Sequence, residues 1–294
     1  MENQEKFSVN KLTHEEIIND PYVRQKFIDI LSSLHKVAKP DAESIYEKER
    51  LYFLKALNDP KTKLASCTKI SIFSTFVEIA IQNLSIQDGA KSEAYVEARG
   101  TKKGTDEHGK DIWENIARLV ITTYGELNLR MRAGQIVQMT NPIVVYEGDI
   151  FQPRTNEKGI LYVEYAPAIP RKSNKIIGSW VAIYLPGGLI DFKFLLQEDI
   201  ERLKNYSIPK GKNSSAGPNA LYTSSGGQID PGFLETKTIK HAMRSRTKLR
   251  VMGNAEIEDE EYEEQAKVFT QPANTVTERQ QEAAVVMEDN DGIF

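Results

Sequence analysis

A chain of 294 residues, 40% hydrophobic and 27% charged, is expected to be soluble and globular, as one large domain or two small ones. It has no apolar run near the roughly 20 residues a bilayer span needs, and MENQEKFSVNK carries no signal-peptide core. A single cysteine, Cys67, excludes an internal disulfide framework, so the expected setting is reducing and cytoplasmic.

The net charge of −4 hides an asymmetry. Residues 251–294 hold 12 Asp/Glu against 2 Lys/Arg, whereas residues 1–250 hold 36 Lys/Arg against 30 Asp/Glu. Residues 202–250 alone hold 10 Lys/Arg against Asp230 and Glu235. A basic body with an acidic tail suggests a polyanionic partner, with a tail that competes for that surface or recruits another protein. A tail that only keeps the chain soluble is the other reading.

In chain order, Thr13-His14-Glu15-Glu16 forms a capping-box pattern, with Leu12 and Ile17 as a hydrophobic staple. Asp20-Pro21 reads as an N-cap with proline at the first helical position. Val23, Phe27, Ile30, Leu31 and Leu34 then recur at helical spacing. Further helices are expected over Ser44–Leu57 and Thr62–Leu84.

The period changes in the middle. Ala94–Arg99 and Ile116–Thr122 read as strands around a polar, glycine-rich tip, Gly100–Asp111, expected to be mobile. A short helix, Tyr124–Arg132, ends at Gly134, a C′ glycine. Ile136–Tyr146, Ile160–Tyr165, Ile176–Leu185 and Leu189–Leu195 have strand composition, with Pro186-Gly187-Gly188 turning the last pair into a hairpin. Gln197–Lys204 reads as a helix, Tyr206–Gln228 as a loop, and Phe233–Val251 as a basic helix. Beyond about Gly253 the sequence is acidic with little apolar periodicity, as in disordered segments. The expected fold is α+β: a helical N-terminal part, a central mostly antiparallel sheet, a basic C-terminal helix and a disordered acidic tail. The corresponding regions are 1–60, 61–252 and 253–294.

Several chemistries lack their motifs. There is no GxxxxGK[ST], CxxC, HExxH or GxSxG. The four histidines, His14, His35, His108 and His241, are scattered, which gives a zinc site little support. Cys67 falls on the apolar side of its helix and reads as a buried structural thiol. Glu147 and Asp149 flank Gly148 at a strand end; such a pair can hold Mg²⁺, but a solvated turn has the same sequence. The run Glu256–Glu264, with seven acidic residues, reads as a solvated segment.

The positive signal is cationic. In FLETKTIKHAMRSRTKLRV (Phe233–Val251), Lys237, Lys240, Arg244, Arg246 and Lys248 fall mostly at i, i+3, i+4 spacing on one broad face. A solvated helix face would look the same. The loop before it adds Lys204, Lys210 and Lys212, and Arg130 with Arg132, near Arg118, makes a second patch. Single-strand binders pair a positive groove with aromatic platforms for bases. Tyr124, Tyr206 and Tyr222 are the stacking candidates, with the loop residues Tyr206 and Tyr222 preferred to Tyr146 on a strand.

Three segments, in consistent order over about residues 62–250, resemble the RecT-type phage recombinases, single-strand annealing proteins of the RecT and Red beta superfamily. TTYGELNLRMRAGQIVQMTNPIVVYEGDIF (Thr122–Phe151) is similar to a family segment reading roughly GYKGLIELARRSGQI and ending in a VYENDEF-like strand. FLETKTIKHAMRSRTKL (Phe233–Leu249) is similar to the family's C-terminal helix, and Ser66–Gln87 matches an upstream helix more loosely. Arg132, Gly134 and Gln135 match its R-x-G-Q; Tyr146, Glu147 and Asp149 match the strand end; Lys237 and Thr238 match K-T. Tyr124 stands where the family has lysine, Thr122 where it has glycine, and Glu235 brings an acid beside the basic helix.

The resemblance implies annealing of complementary single strands without ATP and without bond chemistry, by rings or helical filaments, in a bacterial or phage-infected cell. It implies no required cofactor, with Mg²⁺ at most a modulator of DNA binding. The implied partners are single-stranded DNA, the annealed duplex and a partner exonuclease; host single-strand-binding or replication proteins are further candidates. The DNA-binding residues expected are Arg130, Arg132, Lys210, Lys212, Lys237, Lys240, Arg244, Arg246 and Lys248. The terminal Ile293-Phe294, after a run of acids, resembles the tips by which bacterial single-strand-binding proteins recruit partners; a solubilising end is the alternative. Two rival classes remain: a metal-dependent nuclease with Glu147 and Asp149 as ligands, and a phage structural or assembly protein that oligomerises without DNA.

Overall fold

In the computed structural model, residues 7–208, 217–251, 253 and 255–258 are described. Four helices come first: α1 (His14–Asn19), α2 (Pro21–Leu34), α3 (Lys39–Asn58) and α4 (Lys69–Gln82). The caps form as the sequence predicts. Thr13 accepts from the Glu16 N–H at 3.2 Å, and the Glu16 carboxylate accepts from the Thr13 N–H at 2.7 Å. Asp20 accepts from the Tyr22 N–H at the head of α2.

The single helix expected over Thr62–Leu84 is instead broken. Lys63 takes φ +57°, a short 3-10 turn follows at Leu64–Ser66, and Thr68 caps α4. The Thr68 N–H is captured by the Asn115 carbonyl at 2.9 Å, so a tertiary contact takes the backbone group that a continuous helix would use.

β1 (Ala94–Thr105) and β2 (Asp111–Ile121) pair antiparallel over their whole length. The expected mobile tip is therefore mostly ladder, closed by Asp106, whose carboxylate accepts from the His108 and Lys110 N–H groups. Beyond it come α5 (Thr123–Arg132), β3 (Gln138–Met139), β4 (Ile143–Tyr146), β5 (Ile150–Thr155), β6 (Leu161–Ala166), β7 (Ile176–Tyr184), β8 (Ile190–Leu196), α6 (Gln197–Tyr206), α7 (Pro231–Arg244) and β9 (Glu256–Ile257). β7 is the central strand of its sheet, with β8 on one edge and β3 and β4 in succession along the other. One long strand is expected over Ile136–Tyr146, but Pro142 has no N–H, and the ladder stops around it. Pro153 hides β5 from a reading of composition; among the described residues β5 pairs with β6 alone, and proline is tolerated at such an edge.

Two further differences lie at the C-terminal end. α7 stops at Arg244, so Arg246, Lys248 and Arg250 lie in the segment after it and not on the helix face expected. Glu256–Ile257, read as tail, adds a parallel strand to β2.

Side chains of α1–α4 and the inner face of β1–β2 share one hydrophobic cluster, from Ile17 and Phe27 to Leu119 and Ile121. That cluster runs across residue 60. Smaller clusters join the β7 sheet to α6 and α7, including Leu195, Leu203 and Leu234, and to α5 and α7, including Ile136, Val181 and Met243. Met1–Glu258 form one compact unit.

Candidate nucleic-acid interface

The sheet and α5 bury most of α7. Leu234, Lys237, Thr238, Ile239, Lys240, Ala242 and Met243 are all buried, so the helix is a core element and not a solvated basic rod. This changes how its cations are read. Lys237 is 8% exposed and Lys240 9%, and the Lys237 ammonium lies 4.9 Å from the centroid of the Phe233 ring. Thr238 meets Ser179 of β7, hydroxyl to hydroxyl, at the helix–sheet contact. The K-T pair thus faces inward.

Arg130 corrects the sequence expectation most clearly. Its side chain is 5% exposed and pairs with Glu126, itself 9% exposed. Nε and Nη2 donate to Glu126 Oε1 at 2.8 and 2.5 Å. Nη1 donates to Gln135 Oε1 at 2.7 Å and to the Thr247 carbonyl at 2.8 Å. All three guanidinium nitrogens are engaged in building the site, and burial of the side chain keeps it away from a phosphate in solvent.

The turn after α5 explains the rest of that motif. Gly134 takes φ +68°, which glycine adopts without strain. The Gln135 N–H donates to the Arg130 carbonyl at 3.0 Å and the Gly134 N–H to the Met131 carbonyl at 3.0 Å, a Schellman closure. The closure aims the Gln135 side chain back at Arg130. The Arg130–Thr247 bond then fastens the end of α5 to the segment that leaves α7.

A cleft of about 390 Å³ lies there, lined by Gln135, by Leu185, Pro186 and Leu189 of the β7–β8 turn, and by Ser245, Arg246 and Thr247. The two sequence segments that carry the resemblance therefore meet at one place. Arg132, Arg244, Lys248 and Arg250 are all exposed. Arg246 is largely buried and paired with Asp191, so the expected phosphate contact is spent within the protein.

The remaining predicted residues separate. Tyr206 is 44% exposed at the end of α6, while Tyr124 is half-buried against the α5–α7 cluster. Tyr222 is 3% exposed and packs edge-to-face on Phe233 at 5.2 Å, so its ring belongs to the core and is no platform. Arg118, with Arg99, is held by Glu256 of β9. Lys210, Lys212, Ile293 and Phe294 lie outside the described residues.

Both carboxylates of the metal reading have structural partners. Asp149 accepts from the Tyr146 and Ala168 N–H groups, each at 2.9 Å. Glu147 accepts from Lys175 Nζ and Ser173 Oγ, each at 3.1 Å; the Lys175 bond and then Ser173 hold its carboxyl below the usual range. Among the described residues no His, Cys, Asp or Glu cluster has metal-binding geometry, and no helix is long and apolar enough to cross a membrane.

Sequence reasoning missed one cationic site, the loop after β6. Arg171 stacks on Tyr146 with its guanidinium carbon 3.6 Å from the ring centroid. The run Arg171-Lys172-Ser173-Asn174-Lys175 was the available signal.

Architecture and surface together define an α+β protein with a cleft where the ends of two helices meet a hairpin turn, and with exposed cations in the adjoining segments. The chain belongs to the RecT family, whose model matches residues 47–270; proteins of this type anneal single-stranded DNA in recombination. No curated protein gives a significant match.

Proposed function

We propose that this protein anneals complementary single strands without ATP and without making or breaking covalent bonds, and that it does so as an oligomer. The convergence of the R-x-G-Q turn with the 245–250 segment carries the reading. Exposed Arg132 lies three residues before Gln135 of the cleft lining, and exposed Arg244 and Lys248 flank Ser245–Thr247, so cations adjoin the cleft in both segments that resemble the family. These cations neutralise phosphates of one strand and leave its bases available. A second strand then samples register, and base pairing supplies the specificity. The buried Lys237 and Lys240 act through the helix they help seat.

The absence of a GxxxxGK[ST] motif supports ATP independence. The engaged states of Glu147 and Asp149 support annealing over nuclease chemistry. A partner exonuclease, host single-strand-binding or replication proteins recruited through Ile293 and Phe294, and Mg²⁺ as a modulator complete the proposal.

The test is annealing of complementary labelled oligonucleotides without nucleotide, across a salt series. Duplex should form in proportion to protein, and log affinity should fall linearly with log salt, by about 0.7 per phosphate contact. Loss of Arg132 together with Lys248 should flatten that slope by about 1.4. Shortened strands that require Mg²⁺ and Glu147 would instead establish the nuclease, and salt-insensitive oligomers that shift no oligonucleotide would establish the structural protein.

A further inference from the structure

The loop between β6 and β7 is held firmly at both ends. Near its start, the Ala168 N–H donates to Asp149 Oδ1 at 2.9 Å. Near its end, Lys175 and Ser173 bind Glu147, the Glu147 N–H donates to the Lys175 carbonyl at 2.8 Å, and Gln228 brackets Asn174 and Ile176. The crest between these anchors has a different character. Ile169 is 88% exposed, the highest value among the large hydrophobic residues described. Arg171 and Lys172 follow it, both exposed, and the Arg171 guanidinium lies over the Tyr146 ring. The stretch Pro167–Lys175 contains three cations and no acid.

A single exposed isoleucine is ordinary on a protein surface; what marks this one is its place on an anchored crest beside Arg171 and Lys172, in a stretch without an acid. Three occupants are conceivable, and the surroundings favour one. Protein interface cores are depleted in lysine, which argues against a protein partner or a second copy. One isoleucine buries too little apolar area to hold a bilayer. Nucleic acid accepts both halves of the pattern: phosphates take cations, and small apolar side chains wedge between base steps.

We infer that this crest is a second DNA contact, separate from the α5–α7 cleft, in which Ile169 wedges against bases while Arg171 and Lys172 hold the flanking phosphates. The inference rests on the single-strand reading above. The anchors position the wedge in advance, so little ordering entropy is lost on binding. Wedging would also part stacked bases, which a strand searching for its complement requires.

The experiment uses the full chain and an oligothymidine carrying one 2-aminopurine, whose fluorescence rises on unstacking. Wild-type protein should raise the fluorescence. Ile169→Ser should lose most of that rise and bind about tenfold more weakly, as for loss of one buried apolar side chain, with the salt slope unchanged. Arg171→Ala with Lys172→Ala should flatten the slope by about 1.4 while retaining much of the rise. All these side chains are exposed, and Arg171→Ala loses only its contact with the Tyr146 ring, about 0.5–1 kcal/mol, so thermal midpoints should stay within a few degrees of wild type and confirm folding. If both variants bind, unstack and anneal as wild type does, the inference fails and the single-strand reading stands. If wild type binds no oligonucleotide, both fail. Loss in Ile169→Ser of binding to anionic vesicles, or of oligomer mass by light scattering, with DNA behaviour unchanged, overturns the inference in favour of a membrane or a second copy.

Discussion

Replacing Arg130 by alanine separates a structural arginine from a phosphate contact. The substitution removes four hydrogen bonds at once, two to Glu126 and one each to Gln135 and the Thr247 carbonyl. It leaves the Glu126 carboxylate, 9% exposed, without its cation. Breaking one side of a buried ion pair costs about 3–5 kcal/mol, which for a unit of this size lowers the thermal midpoint by roughly 6–20 °C. Neutralising the abandoned acid, Glu126→Gln in the Arg130→Ala background, should recover part of the loss. Thermal unfolding gives the stability, and fluorescence anisotropy with an oligonucleotide across a salt series gives the slope. At a temperature where both variants are folded, Arg130→Ala should keep the wild-type slope, whereas Arg132→Ala should flatten it by about 0.7. A stable Arg130→Ala protein whose slope falls like that of Arg132→Ala would refute the structural assignment.

Gly125 has no room for a side chain: a Cβ there would lie 2.0 Å from the Glu93 carbonyl oxygen, so Gly125→Ala should lose at least about 1–3 kcal/mol, read as a lower urea midpoint. Burial of His241, with Arg244, Arg202 and Lys193 outweighed only in part by Asp199, holds its pKa below the ordinary 6.5. Below that value the unfolded chain binds a proton that the native state resists, so stability falls as pH drops from about 7 to about 5; in His241→Gln that fall in thermal midpoint should be smaller. Burial pushes the Cys67 thiol up to about 11; at about pH 8 the native protein should therefore react with iodoacetamide at least about a hundredfold more slowly than the urea-unfolded chain, followed by mass spectrometry.

Much of the local structure was legible because its causes are local. The Thr13 capping box, the Asp20-Pro21 start and the Gly134 stop each depend on residues within a few positions, and they formed as read. The boundaries that shifted did so where a distant backbone intervened. Asn115 draws Thr68 out of a helix, and the hairpin ladder runs past Gly100 and Gly104 to the Thr105–Asp111 pair. Proline misled in both directions: Pro142 splits a strand that composition joins, and Pro153 hides one that pairing tolerates.

At the candidate site, amino-acid order alone shows cations clustered near Arg132 and after residue 233, in segments that resemble the RecT family. It could not tell which of those cations face the solvent. Spacing around α7 is the same whether a basic face is wet or packed, and only tertiary burial places Lys237 inside and leaves Arg244 and Lys248 outside. Arg130 and Arg132 are two residues apart with the same chemistry, yet one closes a buried network and the other is exposed. The difference arises because α5 packs against α7, and the helix's 3.6-residue period turns neighbouring arginines to opposite sides. The acidic segment shows the same limit from the other direction: composition marks it as solvated, but the open edge of β2 and the guanidinium groups of Arg99 and Arg118 draw Glu256 into the fold.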